Sequence, residues 1–95
     1  FETIQFKQYQ ENLKNPQFDA LIDTIQALNV DIREDDMLGE GFVIGHSYFS
    51  NIVNITESEL SNIIEFEIIP LLKEYWFDDS SKVDSWKVRL RDAIQ

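Results

Sequence analysis

The sequence predicts an all-α domain, a bundle of about four helices around one core, with one irregular or short extended segment in the middle. Apolar residues recur at steps of three and four along most of the 95 residues, which is the spacing of a buried helix face. Residues that favour helix starts precede three of these stretches. Hydrophobic residues make up 43% of the chain, enough for one packed interior at this length. We therefore expect residues 1–95 to form a single domain.

The first third of the chain contains two predicted helices. The first covers about residues 3–13. The second begins where Asn15 acts as a cap and Pro16 takes the first helical position, since the N–H that proline lacks would be unpaired there anyway. The predicted core-facing residues of the two helices are Phe6, Tyr9, Leu13, Phe18, Leu21, Ile22, Ile25, Leu28 and Ile32. Their spacing makes the second helix clearly amphipathic.

The helical pattern breaks over residues 33–55. The acidic run at residues 34–36, Glu-Asp-Asp, has two interpretations, a hydrated loop or a divalent metal site, and no second ligand cluster has suitable spacing for a metal. Residues 42–44, Phe-Val-Ile, form an apolar run between two glycines. We expect this run to be a short extended piece tucked under the helices.

The strongest helix start signal lies at Thr56. Thr56 and Glu59 form a capping box, in which each side chain bonds the other's free backbone N–H, and Ile55 and Leu60 are placed as a hydrophobic staple. The apolar positions that follow extend beyond one stripe, so we expect this helix to be buried on most sides. These positions are Leu60, Ile63, Ile64, Phe66, Ile68, Ile69, Leu71, Leu72 and Tyr75.

Pro70 lies inside that third helix. Proline removes one backbone hydrogen bond, which predicts a bend near Phe66. The run Asp-Asp-Ser-Ser at residues 78–81 ends the helix and caps the last one. The apolar face of the last helix consists of Val83, Trp86, Leu90 and Ile94.

Charge and composition exclude several classes of function. Eight basic and 18 acidic residues give a net charge of −10, so the domain alone is a poor binder of nucleic acid, whose phosphates are held by clustered Lys and Arg. No apolar run approaches the roughly 20 residues that cross a bilayer. The chain has no cysteine and one histidine, which excludes disulfides, thiolate sites and multi-histidine metal sites. The lack of cysteine suits a reducing compartment, and we expect a cytoplasmic protein.

The sequence contains no complete catalytic motif. The phosphate-binding loop GxxxxGK[ST], the dinucleotide-binding glycine pattern and HExxH are missing, and no strand-elbow motif surrounds Ser47, so a self-contained enzyme is not expected. His46 is the unusual titratable residue, in a turn whose glycines suit a close approach of the backbone. Two interpretations remain open. In one, His46 hydrogen-bonds the backbone of its own loop and the turn packs against a neighbouring helix. In the other, the turn contacts a phosphate.

Two blocks of the sequence resemble McrB-type AAA+ proteins. Residues 39–49, GEGFVIGHSYF, are similar to the signature GxGFRIGHSYF, and residues 67–79, EIIPLLKEYWFDD, are similar to IxPLLEEYWFDD. Lys82 and Trp86 also fall where that family tends to carry a lysine and a tryptophan. The order and separation of the blocks agree, so the resemblance spans nearly the whole chain.

The resemblance implies that residues 1–95 are the C-terminal helical lid of a longer AAA+ protein, the motor subunit of a system that restricts DNA carrying 5-methylcytosine. It implies GTP or ATP with magnesium in the parent protein, and no cofactor or catalytic activity in this part alone. The implied partners are the large AAA+ subdomain of the same chain, neighbouring subunits of a ring and a McrC-like nuclease. DNA would be reached only through other domains, and no membrane is involved.

The resemblance also implies where the site lies. By analogy with other AAA+ lids, Gly45, His46 and Ser47 are the candidates for the nucleotide-facing edge, and no metal ligand is expected. Candidates for structural or interface roles are Tyr48, Phe49, Pro70, Tyr75, Trp76, Phe77 and Trp86. Val43 departs from the family, which usually has arginine there, so any contact made by that arginine is absent from this chain.

The implied role is mechanical. Nucleotide would bind between the large subdomain and the lid, hydrolysis would change the angle between them, and a rigid bundle would pass the rotation to the next subunit. Two other functions remain open from the residues. One is an acidic helical adaptor that binds a basic partner without nucleotide chemistry. The other is a helix-turn-helix DNA reader, which the net charge of −10 disfavours.

Overall fold

The computed structural model describes residues 3–49 and 56–95. Within these residues the chain has five α-helices and no β-strand, which confirms the predicted all-α class. The helices are α1 (Ile4–Leu13), α2 (Pro16–Glu34), α3 (Glu57–Ile63), α4 (Ile69–Tyr75) and α5 (Ser80–Ala93). A π-helical turn at Ile64–Ile68 joins α3 to α4, so these two form the single long helix that the sequence predicts. None of the helices in the described ranges is long and apolar enough to cross a bilayer.

Local side-chain caps start the helices where the sequence predicts. Asn15, Thr56 and Asp79 each accept a hydrogen bond from the backbone N–H three residues further on, at 2.9, 3.1 and 3.2 Å. Each bond satisfies one of the N–H groups that a helix start leaves without an internal partner. Ile55, one half of the predicted staple, lies outside the described residues.

One hydrophobic core joins all five helices. Its members include Phe6, Phe18, Leu21, Ile25, Leu28, Ile32, Ile44, Phe49, Leu60, Ile64, Ile68, Leu72, Trp76, Val83, Trp86 and Leu90. The sequence pattern also assigns Phe66 to the buried surface, and this prediction is wrong, because Phe66 is 74% exposed. Phe66 lies within the π turn. Such a turn bonds residues five apart instead of four, so the side chains in it leave the faces that the 3.6-residue pattern assigns.

The π turn comes directly before Pro70. Proline has no N–H to donate, and its ring crowds the carbonyl four residues back, which here belongs to Phe66. The backbone answers by changing register: the N–H of Ile69 bonds the carbonyl of Ile64, five residues back. The sequence thus locates the disturbance correctly, while the bend itself stays a prediction.

The segment between α2 and α3 is mostly non-helical, with two short 3₁₀ turns at Glu40–Phe42 and His46–Tyr48. The predicted extended run at residues 42–44 is only partly so. Phe42 ends the first 3₁₀ turn and is 42% exposed, whereas Val43 has extended dihedral angles. Ile44 is the member of the run that enters the core.

Two tryptophans and two aspartates hold α2 against the end of α4 and the start of α5. The Nε1–H of Trp76 donates to Asp35 Oδ2 at 2.7 Å, and that of Trp86 donates to Asp31 Oδ2 at 2.9 Å. Lys82 lies between the two pairs, with Nζ 3.3 Å from Asp31 Oδ1, 3.8 Å from Asp35 Oδ2 and 4.7 Å from the centre of the Trp76 ring. We call these five residues the tryptophan–aspartate cluster.

The cluster fixes the direction of packing and the role of the acidic run. At the opposite end of the pair of helices, Gln17 Nε2 donates to the carbonyl of Ile94 at 2.7 Å, so α2 and α5 run antiparallel. Asp35, the middle residue of the acidic run, uses its second oxygen to accept the N–H of Met37 at 2.8 Å. No group of three His, Cys, Asp or Glu side chains suited to a metal ion occurs in the described residues.

We expect the stability of the cluster to fall at acidic pH through Asp35. The hydrogen bond from Trp76 holds the pKa of the Asp35 carboxyl below its usual value of 3.8. The folded state therefore binds this proton less readily than the unfolded state, so the stabilisation is present above about pH 4 and is lost as pH falls through the lowered pKa. In urea unfolding from pH 7 to pH 3, Asp35→Asn should show a smaller loss than the wild-type chain.

The matched control is Asp36→Asn. Asp36 is an exposed neighbour with no hydrogen bond or ion pair to the described residues. Its removal should leave the acid-induced loss of stability unchanged. Both variants should retain the acid sensitivity that comes from Glu65, because a hydrogen bond from Arg91 lowers the pKa of the Glu65 carboxyl. Equal pH profiles for Asp35→Asn and the wild-type chain would contradict the prediction.

Candidate functional site

A shallow groove lies between the second half of α2 and the segment at residues 43–46. Its volume is about 360 Å³. The groove is lined by Gln26, Asn29, Val30, Arg33, Val43, Ile44, Gly45 and His46. None of these is a carboxylate, although 18 of the 95 residues are acidic. Four other grooves on the described part of the chain each include at least one Asp or Glu. The lining residues of this groove include the positive charge of Arg33 and no carboxylate, although the carboxylate of Glu40 lies 2.8 Å from Arg33 Nε.

Asn29 fixes one end of the segment. Its side chain donates to the carbonyl of Ile44 through Nδ2 at 2.9 Å and accepts the Ile44 N–H through Oδ1 at 2.7 Å. Asn29 is 3% exposed, and a buried amide is costly unless its donors and acceptors are paired. The two bonds imitate a backbone pair and hold the residue before Gly45 against α2. Asn29 is not among the site residues predicted from the sequence.

The other end of the segment is fixed to α1 and α2. The hydroxyl of Tyr9 donates to the carbonyl of Phe49 at 3.1 Å. The Phe49 side chain is fully buried and meets Phe18 edge to face, with ring centres 6.1 Å apart. Tyr48, beside it, is half-buried against the core. Residues 45–48 are therefore presented between two anchored ends.

His46 lies on the surface of this anchored segment. Its imidazole stacks on the ring of Phe6, with centres 5.6 Å apart and planes 14° from parallel. The residue is exposed, and its ring makes no hydrogen bond to the described residues. Both ring nitrogens are thus available to a ligand. Ser47 is exposed too but does not line the groove, so the structure brings together two of the three predicted site residues, Gly45 and His46.

Gly45 is not required by the fold of this chain. Its φ of −86° and ψ of 169° are extended angles that any residue adopts. A Cβ atom built on Gly45 would meet no heavy atom of residues 3–49 and 56–95 within 4 Å. No neighbouring helix in the described residues therefore accounts for a small residue here. Among the described residues, none occupies the space next to the Cα atom of Gly45.

Arg33 supplies charge on the same groove. It lies in the last turn of α2, and Val43, another residue that lines the groove, carries no charge. Its Nε is 2.8 Å from Glu40 Oε2, and both side chains are well exposed, at 46% and 77%. Neither residue is among the site residues predicted from the sequence, since their proximity depends on how the loop folds back on α2.

The aromatic candidates at the end of α4 do not line this groove. Trp76 and Trp86 are buried at 4% and 6% exposure, and Pro70 is exposed. Tyr75 is half-buried and meets Phe42 edge to face at 5.4 Å, and burial raises the pKa of its hydroxyl. Phe77, at 83% exposure, is the ring of this group that is open to a partner.

Comparison with known proteins gives one family and one relative of similar sequence. Residues 20–84 match the model of the family described as McrB, alpha-helical lid domain. The chain is 39% identical over 97 aligned residues to the Type IV methyl-directed restriction enzyme EcoKMcrB subunit of Escherichia coli (strain K12), an alignment that covers 95% of this chain. The chain spans about a fifth of that relative, since the covered share is 21%. No solved structure matches.

Proposed function

The chain belongs to the family of McrB alpha-helical lid domains, and from this premise we propose that it is the nucleotide-responsive lid of a McrB-like AAA+ motor. The observation that carries the proposal is the carboxylate-free groove with His46, Arg33 and an open Gly45 on its walls. Such a surface suits the phosphates of a nucleotide, because a guanidinium, an imidazole and exposed backbone are donors to phosphate oxygen.

The lid would act in a longer protein. We propose GTP or ATP as the nucleotide, bound between this groove and a large AAA+ subdomain of the same chain. The magnesium that accompanies the nucleotide prefers oxygen ligands such as carboxylates, and the groove contains none, so other parts of the parent would hold it. We further propose that the lid contacts neighbouring subunits of a ring and that the motor works with a McrC-like nuclease. The complex would restrict methylated DNA in the cytoplasm, and other domains would contact the DNA.

The structure of α2 supports a lever. Asn29 and Arg33 face the groove, while Asp31 and Asp35 lie about half a turn away around the helix and bind the tryptophans of the cluster. The same two turns of α2 thus contact the proposed nucleotide segment on one side and the rest of the bundle on the other. A displacement of the segment would move α2 and, through the cluster, α4 and α5 with it.

We expect Gly45→Ala and His46→Ala to lower nucleotide affinity or hydrolysis in the full-length protein without unfolding the lid. A methyl group at Gly45 would meet no atom of the described residues within 4 Å, and it would stand where the nucleotide approaches. His46→Ala removes one donor, and the loss of one polar contact of about 1.4 kcal/mol corresponds to roughly tenfold. The measurements are binding of fluorescent GTP and ATP, steady-state hydrolysis, and thermal unfolding of each variant.

Gly41→Ala is the matched control. A Cβ atom at Gly41 also meets nothing within 4 Å in the part of the chain that the structure describes, but Gly41 does not line the groove. This variant should therefore bind and hydrolyse nucleotide as the wild-type protein does. If Gly45→Ala and His46→Ala also behave like the wild type, the groove is not the nucleotide site. A full-length protein that binds no nucleotide would favour the acidic adaptor instead.

A further inference from the structure

Arg33, the charged guanidinium on the groove, forms an exposed ion pair with Glu40. We propose that Arg33 binds a phosphate of the nucleotide and that Glu40 competes with it for the guanidinium. The inference rests on the proposed function and adds to it the residue that recognises the phosphates and an internal competitor for that residue. Nucleotide binding would then exchange one anionic partner of Arg33 for another.

The position of Arg33 suits this role. An arginine side chain is always charged and offers five N–H donors in a planar fork that matches phosphate. Arg33 rises from the last turn of α2 beside Asn29, the residue that holds the proposed nucleotide segment. Val43 and the other lining residues apart from Arg33 and His46 carry no ionisable side chain. The permanent positive charge of the groove therefore comes from Arg33.

The pair with Glu40 leaves most of the guanidinium unused. The Nε atom of Arg33 lies 2.8 Å from one oxygen of Glu40, and the terminal nitrogens of Arg33 donate to no described residue. Arg91 provides the contrast: it binds Glu65 through two nitrogens, at 2.9 and 2.6 Å. An exposed ion pair with one contact contributes little to stability, so a phosphate that engages several donors would displace Glu40 readily.

Two substitutions with opposite expected effects test the proposal in the full-length protein. Arg33→Gln should weaken binding of GTP or ATP by about tenfold or more, because a charge-assisted contact is lost. Glu40→Gln should tighten binding by about two- to fivefold, because the competing carboxylate is gone. Neither substitution should change binding of the nucleoside, guanosine or adenosine, which carries no phosphate. Affinity is measured by titration calorimetry at fixed ionic strength.

Arg91→Gln is the control, since it removes an arginine of similar exposure, 51% against 46%, from an ion pair outside the groove. Its nucleotide affinity should match the wild type. Unchanged affinity in Arg33→Gln would overturn the proposal, and so would weaker binding in Glu40→Gln, which would mean that the pair only shapes the loop. If Gly45→Ala and His46→Ala weaken binding while Arg33→Gln does not, this inference fails and the proposed function survives. If none of the variants matters, the proposed function fails as well.

Discussion

We expect Trp86→Ala to destabilise the chain by about 3–5 kcal/mol, the range for removal of a large aromatic side chain from a core. Trp86 is 6% exposed and donates to Asp31 at 2.9 Å, and the guanidinium of Arg89 lies 4.1 Å from the centre of its ring. Alanine would leave a cavity between α2 and α5 and remove the donor that faces Asp31. The effect is measured as the free energy of unfolding in urea.

Two further variants separate packing from hydrogen bonding. Trp86→Phe retains most of the apolar contact but lacks the N–H, so it should cost less than alanine, by a margin that reports the cavity. Phe77→Ala removes an aromatic ring of 83% exposure from the same region and should change stability by no more than about 0.5 kcal/mol. Equal losses for Trp86→Ala and Phe77→Ala would contradict the assignment of Trp86 to the core.

Local signals explain why the helices could be predicted from the sequence. The caps at Asn15, Thr56 and Asp79 act on backbone groups three residues away, and the spacing of apolar residues in α2 depends only on helix geometry. Both kinds of signal can be read without knowledge of the rest of the fold. The π turn could not be predicted in the same way, because a proline inside a helix is compatible with a kink, a break or a change of register.

The tryptophan–aspartate cluster shows what local signals leave out. A buried indole N–H needs an acceptor, but the acceptors of Trp76 and Trp86 lie 41 and 55 residues away in sequence. Only the packing of α2 against α5 and the end of α4 brings them together, and helical periodicity carries no information on the direction of packing. From the sequence, the acidic run could therefore be interpreted as a loop or as a metal site, but the hydrogen bond from Trp76 to Asp35 could not be predicted.

Only some of the residues that line the groove could be predicted from the sequence. Its glycine–histidine turn stood out because glycine and histidine are unusual in a helical chain, whereas Arg33 and Glu40 looked like ordinary surface charges. Asn29 did carry a signal: it lies four residues after Ile25 and three before Ile32, on the face that α2 buries. A polar residue at such a position must find a partner inside the fold.

We expect Asn29→Ala to destabilise the chain by about 2–4 kcal/mol, because it strands a buried N–H and a buried carbonyl of Ile44, each of which costs about 1–3 kcal/mol when unpaired. Asn62→Ala, at an exposed position in α3, should change stability by no more than about 0.5 kcal/mol.

A second substitution of Asn29 distinguishes a purely structural residue from one that also serves the proposed site. Asn29→Asp retains the acceptor for the Ile44 N–H but turns a carboxylate oxygen towards the Ile44 carbonyl, so it should release the segment at residues 43–46 and add negative charge to the groove. If the groove binds phosphate, Asn29→Asp should weaken nucleotide binding in the full-length protein more than Asn29→Ala does. If Asn29 only supports the fold, the loss of affinity in each variant should follow its loss of stability. That result would contradict the proposal that the groove binds the phosphates of the nucleotide.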